Sequence, residues 1–387
     1  MSDMDATRND ATLVSPGGPD AFAVTPPVNA TQRRASAVLP RVKNLDSPHT
    51  PGLGEGERTR YEEGGVLGEG GIGVVKRALD NDIVRTVAIK RLRPTMRDPG
   101  TLARFVDEIR MVGQLEHPNI VPIHDVGVDE NGDYFFVMKY VEGETLAAII
   151  ERLAKGDRAT HAVYTFERRV EIFMGICDAL LYAHARGILH RDIKPANVMV
   201  GPAGEVMLMD WGLACRKDGK AAVEGEEAGT PLYMSPEQAS GKPIDERSDI
   251  YSACVLMHEL CTLRHFLADK PNTTAVLAGV LMEDVPLAIV SNSPHQMRTP
   301  ADLSWFLAAG LKKDPAERYA SVGEMIERLR ARAEGKFPIQ CHATFAKRLM
   351  REMTRFVDRF PVIFTLLFAL SVLGLIALGV QGVRHLL

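Results

Sequence analysis

The chain has little cysteine and no surplus of charge of either sign. Only five of its 387 residues are cysteine. Cys177, Cys215, Cys254, Cys261 and Cys341 are scattered, with no CxxC spacing. That argues against a disulfide frame or a zinc module and leaves small buried hydrophobes in a reducing compartment. The formal net charge is −4. Without a basic excess, nucleic acid is not an expected partner. The start lacks the basic-then-apolar pattern of a secretory leader, so none is expected. Long uncharged apolar runs are also missing, except at 361–380, PVIFTLLFALSVLGLIALGV. At ~1.5 Å per residue, a helix of that length crosses the ~30 Å hydrocarbon core of a bilayer. A buried core helix seldom stays uncharged for so long.

The organisation along the chain follows from composition. Residues 1–60 are rich in Pro, Gly, Ser, Thr, Asp and Asn, as in PGGPD, TPPVN and SPHTPGLGEGE, and read as a disordered arm. Arg33-Arg34-Ala35-Ser36 within it has the look of a basophilic phosphorylation site, although so short a pattern arises often by chance and plain linker is the stronger reading. From Tyr61 the pattern turns strand-like: Val66-Leu67, Val74-Val75 and Thr86–Ile89, punctuated by glycines. Leu102, Phe105, Ile109, Val112 and Leu115 have helical spacing. Strand candidates follow at Ile120–Val128 and Tyr134–Tyr140. Beyond Thr145 the apolar runs are helical, as at Ile172–Ala183, Ser248–Leu263 and Leu303–Leu311. The expectation is an α+β chain with a small sheet-rich lobe before a large helical one. Its units are an arm at 1–60, a catalytic domain at 61–332, a connector at 333–359, an apolar span at 360–380 and a tail at 381–387. In the connector, Phe345, Leu349, Met353, Phe356 and Phe360 form one apolar stripe. Lys347, Arg348, Arg351, Arg355 and Arg359 fall largely on other faces, as in a basic amphipathic helix.

Two blocks carry the chemistry: His190-Arg191-Asp192-Ile193-Lys194-Pro195-Ala196-Asn197 and, shortly after, Asp210-Trp211-Gly212. A carboxylate base, a lysine and an asparagine at this spacing, with a second acid downstream, are the parts of a phosphoryl-transfer site. Leu67-Gly68-Glu69-Gly70-Gly71-Ile72-Gly73-Val74-Val75 contains GxGxxGxV, whose glycines let backbone N–H groups approach phosphates. A dinucleotide-binding turn is the rival reading of such glycines. It would open a helix and show an acid about 20 residues on. Here a second strand-like run follows and ends in Val87-Ala88-Ile89-Lys90.

Together these motifs resemble those of the eukaryotic-like (Hanks-type) Ser/Thr protein kinases of bacteria, over about residues 61–330. The resemblance implies the two-lobed kinase fold and ATP with Mg²⁺ as cofactors, Mn²⁺ being an alternative metal. Lys90 would grip the α- and β-phosphates, held by Glu108, with Asp107 as a rival about 100° away around the helix. Leu67, Gly68, Gly70 and Gly73 would cover the nucleotide. Val75 and Ala88 would lie over the adenine and Met199 beneath it. Met138 would guard the back pocket, with the hinge at Lys139-Tyr140-Val141. Asp192 would orient the substrate hydroxyl, Lys194 would neutralise the phosphate in flight, and Asn197 and Asp210 would ligate the metal. Thr230 would bridge Asp192 and Lys194. Glu237 of Ser235-Pro236-Glu237 would pair with Arg318, and Asp249 would support the catalytic loop. Asp210-Trp211-Gly212 departs from the usual Asp-Phe-Gly, which bears on regulation.

The expected activity is transfer of the γ-phosphoryl group to Ser or Thr of proteins, the chain itself included, with self-association as a further expectation. A membrane-bound pseudokinase scaffold is the alternative, and the complete polar set argues against it. A small-molecule kinase on the same fold is opposed by the peptide-docking segment Thr230–Glu237. Five basic residues before the apolar span, against Arg384 and His385 after it, place the kinase domain in the cytoplasm of a single-pass membrane protein. Residues 213–229 contain no Ser, Thr or Tyr. By the same resemblance, Glu224, Glu226 and Glu227 would stand in for a phosphorylated residue and pair with Arg191, with a solvated acidic loop as the alternative.

Overall fold

The computed structural model describes residues 60–386, apart from 71–72, 94, 97, 130–131, 218–229 and 337. The N-terminal lobe opens with three strands, β1 (Tyr61–Glu69), β2 (Gly73–Asp80) and β3 (Arg85–Leu92). The helix α1 (Pro99–Val112) follows, then β4 (Ile123–Val128) and β5 (Tyr134–Lys139). The five strands form one antiparallel sheet in the order β1-β2-β3-β5-β4. β3 is central. Its Val87 and Ile89 are fully buried against Val137, as alternation on a half-covered sheet requires, and Ala88 is almost so. Gly73 is needed for this register, because a Cβ there would lie 2.5 Å from the carbonyl oxygen of Arg91 on β3.

The helix α1 starts where the sequence can cap it. Asp98 accepts from the Thr101 N–H at 2.9 Å, and Pro99 occupies the first turn. Its buried face carries Thr101, Phe105, Glu108 and Val112. Phe105 packs on Leu92 and Phe136, so α1 is held to the sheet by apolar contact on either side of one carboxylate. The helix ends at Gly113, slightly earlier than the apolar spacing through Leu115 suggests. β4 begins at Ile123, just after Pro122, which lacks the N–H a sheet interior needs.

The second lobe starts with β6 (Glu144–Thr145), α2 (Leu146–Ala154), α3 (Arg158–Val163) and α4 (Phe166–His184). Short strands β7 (Ile188–Leu189), β8 (Val198–Val200), β9 (Val206–Leu208) and β10 (Cys215–Arg216) bracket the catalytic loop. Then come α5 (Pro236–Ala239), α6 (Glu246–Thr262), α7 (Thr273–Met282), α8 (Ala301–Gly310) and α9 (Val322–Ala333). α6 is buried nearly all round and forms the axis of the lobe. One core joins it to α2, α4, α8 and α9, and Cys177, Cys254 and Cys261 sit in that core as free thiols.

Two helices close the chain: α10 (His342–Arg359) and α11 (Pro361–Leu386). Among the described residues, no single helix is long and apolar enough to cross a membrane. The pair His342–Arg359 and Pro361–Gly374, bent by 113°, passes the same test of length and composition when taken together. The apolar side chains Val362, Ile363, Leu366, Leu367, Phe368, Leu370, Leu373 and Ile376 are exposed, so none of the described residues covers them.

Candidate active site

The site lies between the lobes, and its polar groups come from five segments. Lys90 reaches from β3 to α1, where its Nζ donates to Glu108 Oε1 at 2.7 Å. It also donates to Asp210 Oδ1 at 3.2 Å. Glu108 is buried, whereas Asp107 is exposed and pairs with Arg110 at 3.8 Å. The helical phase thus selects Glu108 over its neighbour. Burial works against the charge on Lys90, yet the carboxylates of Asp210 and Glu108 raise its pKa above the ordinary lysine value. Asp210 is held below the ordinary carboxylate value: burial opposes this, and the Lys90 ammonium decides it. Both groups are therefore charged at neutral pH.

Asp210 adopts a left-handed backbone, φ 58°. For a non-glycine residue this conformation costs on the order of 1–3 kcal/mol, and such residues concentrate at functional sites. Gly212 follows because space is short. A Cβ there would stand 3.2 Å from Glu108 Oε2 and 3.5 Å from Asp210 Oδ1. Trp211 turns away from the cleft into the core, with its indole N–H donating to the Leu208 carbonyl at 3.4 Å and its ring 4.4 Å from that of His190.

Asp192 is fixed from three directions. Lys194 Nζ donates to its Oδ2 at 2.7 Å. The N–H of Thr230 donates to its Oδ1 at 3.1 Å. The Asn197 amide donates to its Oδ2 at 3.0 Å and to its backbone carbonyl at 2.8 Å. Lys194 donates in turn to the Thr230 hydroxyl at 2.8 Å, so Thr230 joins the carboxylate and the ammonium. Because the Asn197 nitrogen is engaged by Asp192, its carbonyl oxygen is the atom left for a cation. Asn197 and Asp210 thus offer the few hard oxygen donors that Mg²⁺ takes, with water and phosphate completing its shell.

The loop carrying Asp192 is held from below by Asp249 on α6. Its two oxygens accept from the backbone N–H of His190 and of Arg191, each at 2.9 Å. His184 at the end of α4 adds a third bond at 2.8 Å. Arg191 has φ 69°, a second left-handed non-glycine residue beside the site. His190 accepts the Asp192 N–H at Nδ1 and so donates from Nε2 to the Met209 carbonyl, both at 3.2 Å. Burial lowers its pKa, which favours the neutral ring, and the two hydrogen bonds set that tautomer. Sequence reasoning missed His184. A single histidine at a helix end carries no pattern to distinguish it. It also missed Gln238, whose amide donates to the Arg191 carbonyl at 3.1 Å.

The glycine-rich turn joins β1 to β2. The Gly70 N–H donates to the Gly73 carbonyl at 2.9 Å, and added Cβ atoms at Gly68 and Gly70 would meet open space or a contact no nearer than 3.8 Å. Leu67 is exposed beside it. Ala88 lies opposite Met138 on β5, Val75 opposite Lys90, and Lys139 ends the strand ahead of Val141. Met199 sits on β8 opposite Met207. Across the second lobe, Arg318 and Glu237 are joined through both guanidinium tips. Glu224, Glu226, Glu227 and the Arg33–Ser36 stretch lie outside the described residues.

A five-stranded lobe over a helical lobe, with a lysine–glutamate pair facing a braced aspartate and a second acid, defines a phosphoryl-transfer cleft of the kinase type. The profile of the protein kinase domain matches residues 61–328. The chain is 37% identical over 287 residues to the serine/threonine-protein kinase PknB of Mycolicibacterium smegmatis, covering 72% of this chain and 44% of that protein. With PknB of Mycobacterium tuberculosis it shares 36% over 274 residues, covering 69% of this chain and 42% of that protein. With the Streptomyces coelicolor protein named "Probable serine/threonine-protein kinase SCO3848" it shares 39% over 285 residues, covering 72% and 40%. The chain belongs to the protein kinase family. It carries a serine/threonine-type kinase domain, and such domains use ATP and a divalent metal. The match spans less than half the length of these relatives.

Proposed function

We propose that the chain transfers the γ-phosphoryl group of Mg-ATP to serine and threonine hydroxyls of proteins, its own included, while held at the cytoplasmic face of the cell membrane by its C-terminal apolar helix. The observation that carries the first part is the bracing of Asp192 by Lys194, Thr230 and Asn197. A carboxylate so positioned can accept the proton of an incoming hydroxyl and aim its oxygen in line. Lys194, two residues on, bears a charge suited to the phosphoryl group as it moves. Lys90 takes the α- and β-phosphates, and the Glu108 carboxylate keeps the ammonium from folding away. Asn197 and Asp210 would hold Mg²⁺, which when bound neutralises phosphate charge. Leu67, Gly68, Gly70, Gly73, Val75, Ala88, Met138, Lys139, Val141 and Met199 would enclose the nucleotide. Catalysis of this kind is mainly positioning and electrostatic stabilisation.

The test is incubation of the purified chain with γ-labelled ATP and a generic protein substrate, followed by phosphoamino-acid analysis. Phosphoserine and phosphothreonine are expected. Label on tyrosine alone, or none on protein, contradicts the proposal. For the anchor, the apolar run 361–380 and the exposed side chains of α11 support a bilayer as their solvent. The full chain should float with lipid vesicles and resist alkaline washing. Removing residues 360–387 should release an active, mostly soluble kinase.

A further inference from the structure

The connector helix α10 has two opposite faces of different chemistry. Lys347 donates to Asp302 on α8 at 2.6 Å, and Arg332 of α9 pairs with the other Asp302 oxygen at 2.5 Å. Asp302 is buried, so this carboxylate ties three helices together. One turn further along α10, Arg351 donates to the carbonyls of Arg332 and Ala333 at 3.3 and 2.9 Å. A turn beyond that, Arg355 donates to the Glu334 carbonyl. These are end carbonyls of α9 with few helical partners, and cations there are favoured by the helix dipole. Gly335, at φ 78°, leaves room for the crossing, since a Cβ there would lie 2.4 Å from Arg351 Cδ. Lys347, Arg351 and Arg355 of α10 thus face the kinase domain.

At about 100° per residue, Phe345, Leu349, Met353, Phe356 and Phe360 lie on the side opposite Lys347, Arg351 and Arg355. All five are exposed, at 51, 49, 51, 40 and 40%. This stripe runs straight into the apolar helix α11, across a bend of 113°. If α11 stands along a bilayer normal, α10 lies close to the bilayer plane at the depth where α11 enters.

We propose that α10 is an interfacial helix clamped between the kinase domain and a lipid bilayer. Its apolar stripe lies in the acyl-chain boundary, and its basic face holds the second lobe through Asp302 and the end of α9. This rests on the reading of α11 as the membrane anchor. The kinase domain is then a rigid rider with one fixed tilt, rather than a body swinging on a flexible tether. The continuity of the stripe with α11 selects lipid as its occupant.

The test uses the full chain in phosphatidylcholine–phosphatidylserine vesicles containing lipid brominated along the acyl chain. Leu349→Trp places an indole on the stripe, and Thr354→Trp places one well away from it. With the signal of the parent chain subtracted, bromine should quench the first at least twofold more than the second. Equal quenching overturns the lipid contact, as does a dimer in the vesicles with Leu349→Trp unquenched, which would make a second copy the occupant. A chain that fails to float with the vesicles removes the anchor itself. A chain that floats without differential quenching removes only this inference. For the clamp, Lys347→Met with Arg351→Met should speed amide exchange over 334–345 by about tenfold while transfer to a soluble peptide is unchanged. Unchanged exchange overturns the clamp.

Discussion

Each terminal nitrogen of Arg318 donates to one oxygen of Glu237, at 2.7 and 2.8 Å, and the Arg318 side chain has no exposed surface. Ser248 donates to the same carboxylate at 2.6 Å. Arg318 also donates to the carbonyls of Lys312, Lys313 and Arg247, so every group in the cluster is engaged. Removing one member leaves a buried charge without its counterpart. Arg318→Met should therefore cost about 3–5 kcal/mol in urea unfolding. Burial opposes ionisation of Glu237, but its bonds from Arg318 and Ser248 hold its pKa below the ordinary value. For a depressed carboxylate, the stabilisation is complete above the unfolded value of about 4.3 and is lost as pH falls through the folded one. The gap between parent and Arg318→Met should accordingly be full at pH 7 and shrink in acid. A gap that widens in acid contradicts this.

Lys90→Met should lower turnover by at least about 10²-fold, the usual loss for a positioned charge donor. The fold should persist, because Glu108 can take up a proton. Circular dichroism and steady-state transfer separate the two effects. Wild-type turnover in the variant would show that the Lys90–Glu108 pair is structural only.

Thr230 presents two groups to the site, its backbone N–H to Asp192 and its hydroxyl to Lys194. Thr230→Ser should retain most activity. Thr230→Val should lose roughly 10–100-fold in kcat through misplacement of Lys194 and Asp192, with the KM for ATP little changed. Equal activity in the two variants would show that the hydroxyl does not position the site.

Arg191 has a buried Nε with no hydrogen-bond partner among the described residues. An anion from the segment before Thr230 would suit it, and that segment offers Glu224, Glu226 and Glu227 but no hydroxyl until Thr230 itself. Phosphatase-treated enzyme should therefore keep its activity on a generic substrate, while the three Glu→Gln changes together should reduce it. Loss of activity on phosphatase treatment would place the switch on a phosphorylated residue elsewhere.

Much of this was legible in the sequence because the chemistry is local there. Asp192, Lys194 and Asn197 lie within six residues, so their spacing in one loop already carries the geometry. Lys90 and Glu108 come from motif position, Val87-Ala88-Ile89-Lys90 and the run before His117-Pro118-Asn119, and the burial of Glu108 is the helical phase added by the fold. What was not legible depends on tertiary approach. His184 meets Asp249 across 65 positions of chain, and nothing local to either announces it. In the connector, spacing alone puts the basic residues on faces other than the apolar stripe, as in a basic amphipathic helix. That Lys347 faces a buried Asp302 depends on how α8, α9 and α10 pack, which no periodicity reports. Gly73 is similar: its place in the glycine-rich motif suggests phosphate, yet the sheet itself forbids a side chain there.

Asp192 is the residue on which the account turns, and Asp192→Asn keeps its shape while removing the basic carboxylate. The most direct measurement is steady-state transfer from γ-labelled Mg-ATP to protein by the purified Asp192→Asn chain, alongside the parent and with nucleotide binding measured on both. Binding should be retained and turnover should fall by about 10²–10⁴-fold, the usual contribution of a positioned general base. Wild-type turnover in Asp192→Asn would contradict it.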